Sequence, residues 1–105
     1  MNNLIQLIKQ KKFRTAETLL RNDLAKSPED AYTLIQLANV LWNRCKDKEA
    51  LNYADKAKDL SPINPLLNFT RGRILWSLGK YGQSVEEWDI LLSMAEKDVA
   101  NNGYG

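Results

Sequence analysis

Similar side chains recur at a step of 34 residues along this chain of 105 residues. Pro28 and Pro62 are one step apart, and Ala16 is followed at the same step by Ala50 and Ser84. Three more sets share the register: Phe13, Asp47 and Tyr81; Leu7, Leu41 and Leu75; and Leu4, Ala38 and Gly72. A helical bundle without repeats would explain amphipathic helices, but it would not explain why several sets of residues share one 34-residue spacing. The sequence therefore predicts a repeat protein.

The stretch 31–64 indicates what one unit contains. Apolar and small residues recur there at helical spacing in two groups, first Leu34, Leu37, Ala38 and Leu41, and then Ala50, Ala54 and Ala57. Each group predicts the buried face of one helix. Ala38 and Ala50 leave little bulk between the two helices, which can therefore approach closely. Pro62 follows the second helix where the chain must stop and turn, so one unit is a helix-turn-helix.

We therefore expect an all-α superhelix, or solenoid, of about three helix-turn-helix repeats with roughly six helices. The repeats span about 1–30, 31–64 and 65–98, and together they form a single domain over 1–98. A flexible tail is expected over 99–105. A chain of this length has room for one such domain.

The outer units differ from the middle one. In the first unit, Asn2 to Lys11 is predicted to form a shortened first helix, and Phe13 to Lys26 a complete second helix. In the third unit, Pro65 suits a first helical position, where the amide that proline lacks has no partner anyway. Gly72 is expected at the closest helix contact, and Gly79 at a left-handed helix terminus.

This arrangement resembles the tetratricopeptide repeat, whose pattern is W-x-x-L-G-x-x-Y, then A-x-x-x-F, then P. The middle unit carries it as Leu34, Leu37, Ala38, Leu41, Ala50, Ala54 and Pro62, and the last unit as Gly72, Leu75, Ser84 and Trp88. Leu34 and Asn68 replace the family's tryptophan, Arg71 replaces a leucine, and the last unit ends without a proline. The resemblance covers nearly the whole chain and implies a non-catalytic scaffold that binds other proteins.

The resemblance also implies that the first helix of each unit lines a concave groove suited to a peptide or helix of a partner protein. The expected peptide-binding groove comprises Tyr32, Ile35, Gln36, Asn39, Trp42, Phe69, Arg73 and Trp76, with Leu66 and Thr70 beside them. Aromatic residues and arginine are the types that dominate binding hot spots. Trp42 and Trp76 either contact the ligand or fill the gap between first helices, and the sequence leaves both interpretations open. Asn39 is expected to hold a ligand backbone through its amide.

In the same family, a clamp of lysines, asparagines and an arginine grips the C-terminal carboxylates of chaperone tails. The corresponding positions of this sequence carry Ile5, Gln36, Leu66 and Thr70. A chaperone-tail adaptor is therefore disfavoured, and an apolar, aromatic groove predicts a ligand with hydrophobic anchors.

The last helix lacks the polar outer face that normally caps a solenoid. It carries a possible end-to-end interface formed by Val85, Trp88, Leu91 and Leu92. A homodimer, a swapped helix or further repeats would each cover these residues. Self-assembly through this helix is therefore the alternative function.

Catalytic and metal chemistry is disfavoured by residue content. The chain has no histidine and a single cysteine, so the commonest general base and the usual zinc ligands are missing. Glu86, Glu87 and Asp89 form the densest carboxylate group, but neighbouring helical residues diverge around the axis, and a solvated face is expected. We expect no enzymatic activity, no cofactor and no metal.

Charge narrows the class of partner further. Fifteen Lys and Arg against 13 Asp and Glu leave a net charge of +2, so no long-range field attracts nucleic acid or anionic membrane. Nucleic-acid binding through Arg71, Arg73 and Lys80 remains a low-ranking alternative. No apolar run is long enough to span a bilayer. Cys45, predicted to be a small buried hydrophobe, cannot form an internal disulfide, and a cytoplasmic location is expected.

Overall fold

The computed structural model describes the backbone of residues 2–101 and the side chains of residues 3–97. These residues form six helices and no strand: α1 Asn2–Lys9, α2 Phe13–Lys26, α3 Ala31–Asn43, α4 Asp47–Leu60, α5 Pro65–Ser77 and α6 Tyr81–Asn101. The all-α solenoid expected from the sequence is confirmed. α3 begins at Ala31 and α5 at Pro65, the two positions at which the repeat period places the start of a unit.

The helices pack as successive antiparallel pairs, α1 with α2, α3 with α4 and α5 with α6, and each pair stacks on the next. α3 also packs directly on α5. Within the described residues, the second helices α2, α4 and α6 make no comparable contact with one another. α5 is therefore closer to α3 than α6 is to α4, which indicates a stack that curves with its first helices on the inner side.

The turn inside each unit has the same backbone geometry. Lys11, Cys45 and Gly79 lie one repeat apart and have φ values of 59°, 62° and 77°. In each turn the amide of the following lysine donates to a carbonyl five residues earlier, at 2.8 to 2.9 Å. This is the Schellman arrangement, in which a left-handed residue ends the helix. Gly79 is confirmed in that role. The expectation that Cys45 is buried is wrong, because a turn residue of this kind points into solvent.

Two first helices begin with side-chain caps at equivalent positions. Asp30 accepts a hydrogen bond from the amide of Thr33, and Asn64 accepts from the amides of Leu66 and Leu67. These bonds satisfy amides of the first turn that have no partner inside the helix. The caps fix where α3 and α5 start and therefore which of their faces turns inward.

The core is built from small residues where helices cross. Ala16, Ala38, Ala50, Ala54 and Ala57 are completely buried, together with Leu37 and Leu41 of α3. Gly72 takes the position of Ala38 one unit later. A Cβ atom added to Gly72 would meet the indole of Trp88, lying 2.7 Å from its Cδ1 atom. Gly72 is thus a point of close contact between α5 and α6, as predicted.

Two carboxylates are buried at junctions between helices. Glu17 accepts hydrogen bonds from Arg21 and Arg44. Glu87 is 1% exposed and pairs with Lys58 and Arg71. The prediction that Glu87 belongs to a solvated face is wrong, because its helix turns it towards these cations of α4 and α5. Its neighbours Glu86 and Asp89 are exposed, as expected.

α6 continues to Asn101, past position 99, where the flexible tail was expected to begin. Residues 102–105 of that predicted tail lie outside the described part of the chain.

Candidate binding groove

The inner side of the curve carries large exposed apolar side chains. Tyr32 of α3 is 45% exposed, and Phe69 and Trp76 of α5 are 47% and 49% exposed. Ile5 of α1 and Leu66 at the start of α5 extend the same surface. We call this surface the groove. Cavities of about 400 to 520 Å³ lie instead around α1, α2 and the turn between α2 and α3, and of the exposed aromatics only Tyr32 lines one of them. The groove is an open surface, because its aromatic side chains are nearly half exposed.

Ile35 does not belong to the groove, and the expectation that it does is corrected. Its side chain is 1% exposed and forms part of the hydrophobic core. Phe69 occupies the same repeat position and is nearly half exposed. Ile35 lies on the central helix of the stack, with a unit on each side, whereas α5 belongs to the last described unit. Thr70, expected beside the groove, is also buried at 1% exposure.

Trp42 fills the gap between α3 and α5. Its indole Nε1 donates a hydrogen bond to the Ser77 hydroxyl at 2.8 Å, and its ring packs against the Arg73 guanidinium. This geometry favours the packing interpretation for Trp42. Trp76, one repeat later, is more exposed and contacts Tyr81 and Trp88 of α6, with ring centroids 4.5 and 5.6 Å away.

Arg73 packs against two aromatic rings, one from α3 and one from α5. Its guanidinium carbon is 4.5 Å from the ring centroids of both Trp42 and Phe69. Its Nη2 donates to the Asn39 side-chain oxygen at 2.7 Å. Asn39 also receives a weaker 3.4 Å hydrogen bond from Asn43, so its oxygen is engaged within the protein. Gln36 is partly exposed beside them.

The sandwich removes much of the water around Arg73. Burial lowers the pKa of its guanidinium. Its Nε atom is buried and has no hydrogen-bond partner among the described residues. Arg73 was predicted to be a groove residue, but its stacking was not, because the stacking depends on Trp42 of α3 and Phe69 of α5 approaching it from different helices.

The predicted end-to-end interface is only partly assembled on one surface. Val85 and Leu92 of α6 are 46% and 62% exposed, and Leu91 is partly exposed. Trp88 instead lies over Gly72 and stacks on Trp76, so much of its ring serves the packing of α6 on α5. The exposed part of this surface, called the α6 face below, is formed by Val85, Leu91 and Leu92.

The described residues also bear on metal binding and membrane insertion. They contain no group of three or more His, Cys, Asp or Glu side chains placed to hold a metal ion. None of the helices described is long and apolar enough to cross a bilayer.

Comparison by sequence finds no matching family model and no matching curated protein. By structure, the chain is similar to a double mutant of MamA RS-1, with a TM-score of 0.82 and 18% identity over 92% of this chain and 55% of that one. MamA AMB-1 and MamA MSR-1 give TM-scores of 0.77 and 0.76 at 16% identity, covering 89% and 90% of this chain and 51% and 55% of theirs. The chain thus spans about half the length of these structures. At such identity the likeness shows the fold alone, which is a helical-repeat solenoid.

Proposed function

We propose that this chain is a non-catalytic interaction module of the tetratricopeptide kind, which binds a peptide or helix of a partner protein in the groove. The observation that carries the proposal is the exposure of Tyr32, Phe69 and Trp76 on the first helices α3 and α5. Aromatic side chains bury a large area with few rotatable bonds, which is why they anchor protein interfaces. Arg73 supplies a guanidinium that packs against Phe69.

The shape of the groove supports a macromolecular ligand. Small molecules bind in concave sites that bury most of their surface. The groove is open, and a peptide or helix can follow such a surface along several first helices.

The test is capture of partner proteins from the source cell by the wild-type chain and by the variants Phe69→Ala and Trp76→Ala. Ile63→Ala is the matched control, because Ile63 is 71% exposed but lies in the turn between α4 and α5. We expect that the wild type and the control capture the same partner proteins and that both groove variants lose them. Circular dichroism verifies that each variant is folded. Retention by all variants would contradict the proposal.

Self-assembly through the α6 face is a second candidate, favoured by a difference between the two ends of the stack. Val40 and Ile74 are completely buried, whereas the equivalent residue of α1 is the exposed Gln6. At the other end, Leu51 is partly buried, whereas its equivalent Val85 is 46% exposed. At these positions, α1 presents a polar side chain, as solenoid caps do, and α6 presents an apolar one.

This asymmetry disfavours head-to-tail stacking and favours a two-fold dimer in which two α6 faces meet. Sedimentation equilibrium over a range of protein concentrations tests it. The expected result is a dimer that Leu92→Lys converts to a monomer, with Ile63→Lys as the control. A wild-type chain that stays monomeric at high concentration would eliminate this candidate.

A further inference from the structure

Acidic residues are segregated from the groove. The chain has 13 Asp and Glu residues, and none of them lies in α1, α3 or α5. They are found in α2, α4 and α6 and in the turn before α3. The charged residues of the three groove-forming helices are Lys9, Arg71 and Arg73, all of them cations.

Of the two arginines of α5, Arg71 already has counter-charges. Its Nε atom bonds the Asp55 carboxylate at 2.9 Å, and its Nη1 atom lies 3.7 Å from Glu87. Within the described residues, Arg73 makes no ion pair. It is held by two rings and one neutral amide instead.

Arg73 is therefore a partly dehydrated cation without an internal anion. Removing a charge from water is unfavourable unless an opposite charge or hydrogen bonds compensate. Its Nε atom is buried and its Nη2 atom already donates to Asn39, whereas Nη1 has no hydrogen-bond partner among the described residues. A carboxylate is the natural acceptor for the remaining guanidinium hydrogens. A carboxylate brought by a ligand would receive hydrogen bonds from the one groove cation that lacks an anion.

Exposed aromatic residues flank Arg73 on its own helix. Phe69 lies about one turn before it and Trp76 about one turn after it, roughly 5 to 6 Å along the helix axis in each direction. A ligand that pairs with Arg73 can therefore cover apolar surface on both sides. A peptide that continues in both directions from its charged residue covers the apolar surface on both sides of Arg73. A peptide that ends at its charged group covers only one side.

We propose that the groove binds an acidic peptide segment in which an internal Asp or Glu side chain pairs with Arg73 and neighbouring apolar residues pack on Phe69 and Trp76. This proposal rests on the proposed function, because it specifies the ligand of the same groove. A peptide fits better than nucleic acid, since one unpaired cation among aromatic rings offers too few contacts for a phosphate backbone.

The probe is a random dodecapeptide library displayed on phage and selected on the full chain. Enriched peptides are then synthesised with acetylated and amidated ends, and their binding is measured by fluorescence polarisation. Each peptide is paired with a copy in which Glu or Asp is replaced by Gln or Asn. We expect enrichment of an acidic residue between apolar ones, and a loss of about ten-fold in affinity for the neutral copy, as for one charge-assisted hydrogen-bonded pair.

Two protein variants locate the effect. Arg73→Gln should bind the acidic and neutral copies equally, whereas Arg14→Gln, an equal charge change at an exposed position of α2, should retain the ten-fold difference. If Arg73→Gln fails to fold, the comparison of peptide copies on the wild-type chain still tests the requirement for an acid.

The outcomes separate this proposal from the proposed function. Peptides that no longer bind the Phe69→Ala variant, but bind the wild-type chain equally well in their Glu and Gln copies, would overturn the acidic ligand. They would leave the groove as the binding site. Peptides unaffected by Phe69→Ala and Trp76→Ala would contradict groove binding itself. Peptides that bind when synthesised with a free C-terminal carboxylate, but not with the amidated end, would overturn the internal acid.

Discussion

Replacing Gly72 by alanine perturbs a close contact between α5 and α6. The added Cβ atom would collide with Trp88 Nε1 and lie 2.7 Å and 3.0 Å from two carbon atoms of the same indole. Contacts this short require Trp88 to move, and its stacking on Trp76 restricts that movement. In the middle unit, Ala38 is equivalent to Gly72 and Ala54 is equivalent to Trp88. The first helix of that unit therefore carries a larger residue than glycine, and the second helix a smaller one than tryptophan.

Two opposing effects set the size of the change. Alanine favours a helix over glycine by about 1 kcal/mol. Overpacking of a well-packed contact costs about 1 to 3 kcal/mol, and the separations place this case in the upper part of that range. We expect Gly72→Ala to lower the free energy of unfolding by about 1 to 2 kcal/mol.

A double-mutant cycle with Trp88→Ala tests the cause. Once the indole is removed, the same Gly72→Ala change should raise the free energy of unfolding by up to about 1 kcal/mol, because only the helix preference remains. Urea denaturation followed by far-ultraviolet circular dichroism gives the four free energies, provided that the dependence on urea is the same in all variants. If Gly72→Ala destabilises the Trp88→Ala background as much as the wild type, the collision is not the cause.

Two further predictions concern the turns and the buried carboxylate. Cys45 and Gly79 both have left-handed backbone, which glycine adopts more easily than other residues. Cys45→Gly should therefore raise the free energy of unfolding by about 0.5 to 1 kcal/mol, and Gly79→Ala should lower it by about the same amount. Thermal denaturation in which both variants shift the melting temperature in the same direction would contradict this. Burial tends to raise the pKa of Glu17, but hydrogen bonds from Arg44 and Arg21 outweigh it and hold the pKa below the ordinary 4.5. The stability gained from this carboxylate is therefore present above pH 4.5 and lost as the pH falls below it. Glu17→Gln should lower the free energy of unfolding at neutral pH, as measured by urea denaturation. The difference in free energy between this variant and the wild type should shrink below pH 4.5, and a difference that does not depend on pH would refute the reasoning.

The sequence by itself determined the repeat, the helices and much of their boundaries. α2 spans Phe13–Lys26, as predicted, and Gly79 ends α5 with the left-handed backbone expected of it. These features depend on hydrogen bonds, proline geometry and side-chain periodicity within a few residues, so one sequence contains the information. The left-handed turns at Lys11 and Cys45 were not predicted, because lysine and cysteine do not indicate that conformation in a sequence as glycine does.

Tertiary structure alone decided which equivalent side chains are buried. Ile35 and Phe69 share a repeat position, yet one lies in the core and the other in the groove. Glu87 is buried among cations although its two acidic neighbours are solvated. Repeat position fixes where a side chain points, but burial depends on which other helix covers it, and that differs between the middle and the last described unit. The stacking of Arg73 on Trp42 and Phe69 has the same origin, because it requires α3 and α5 to bring three side chains together.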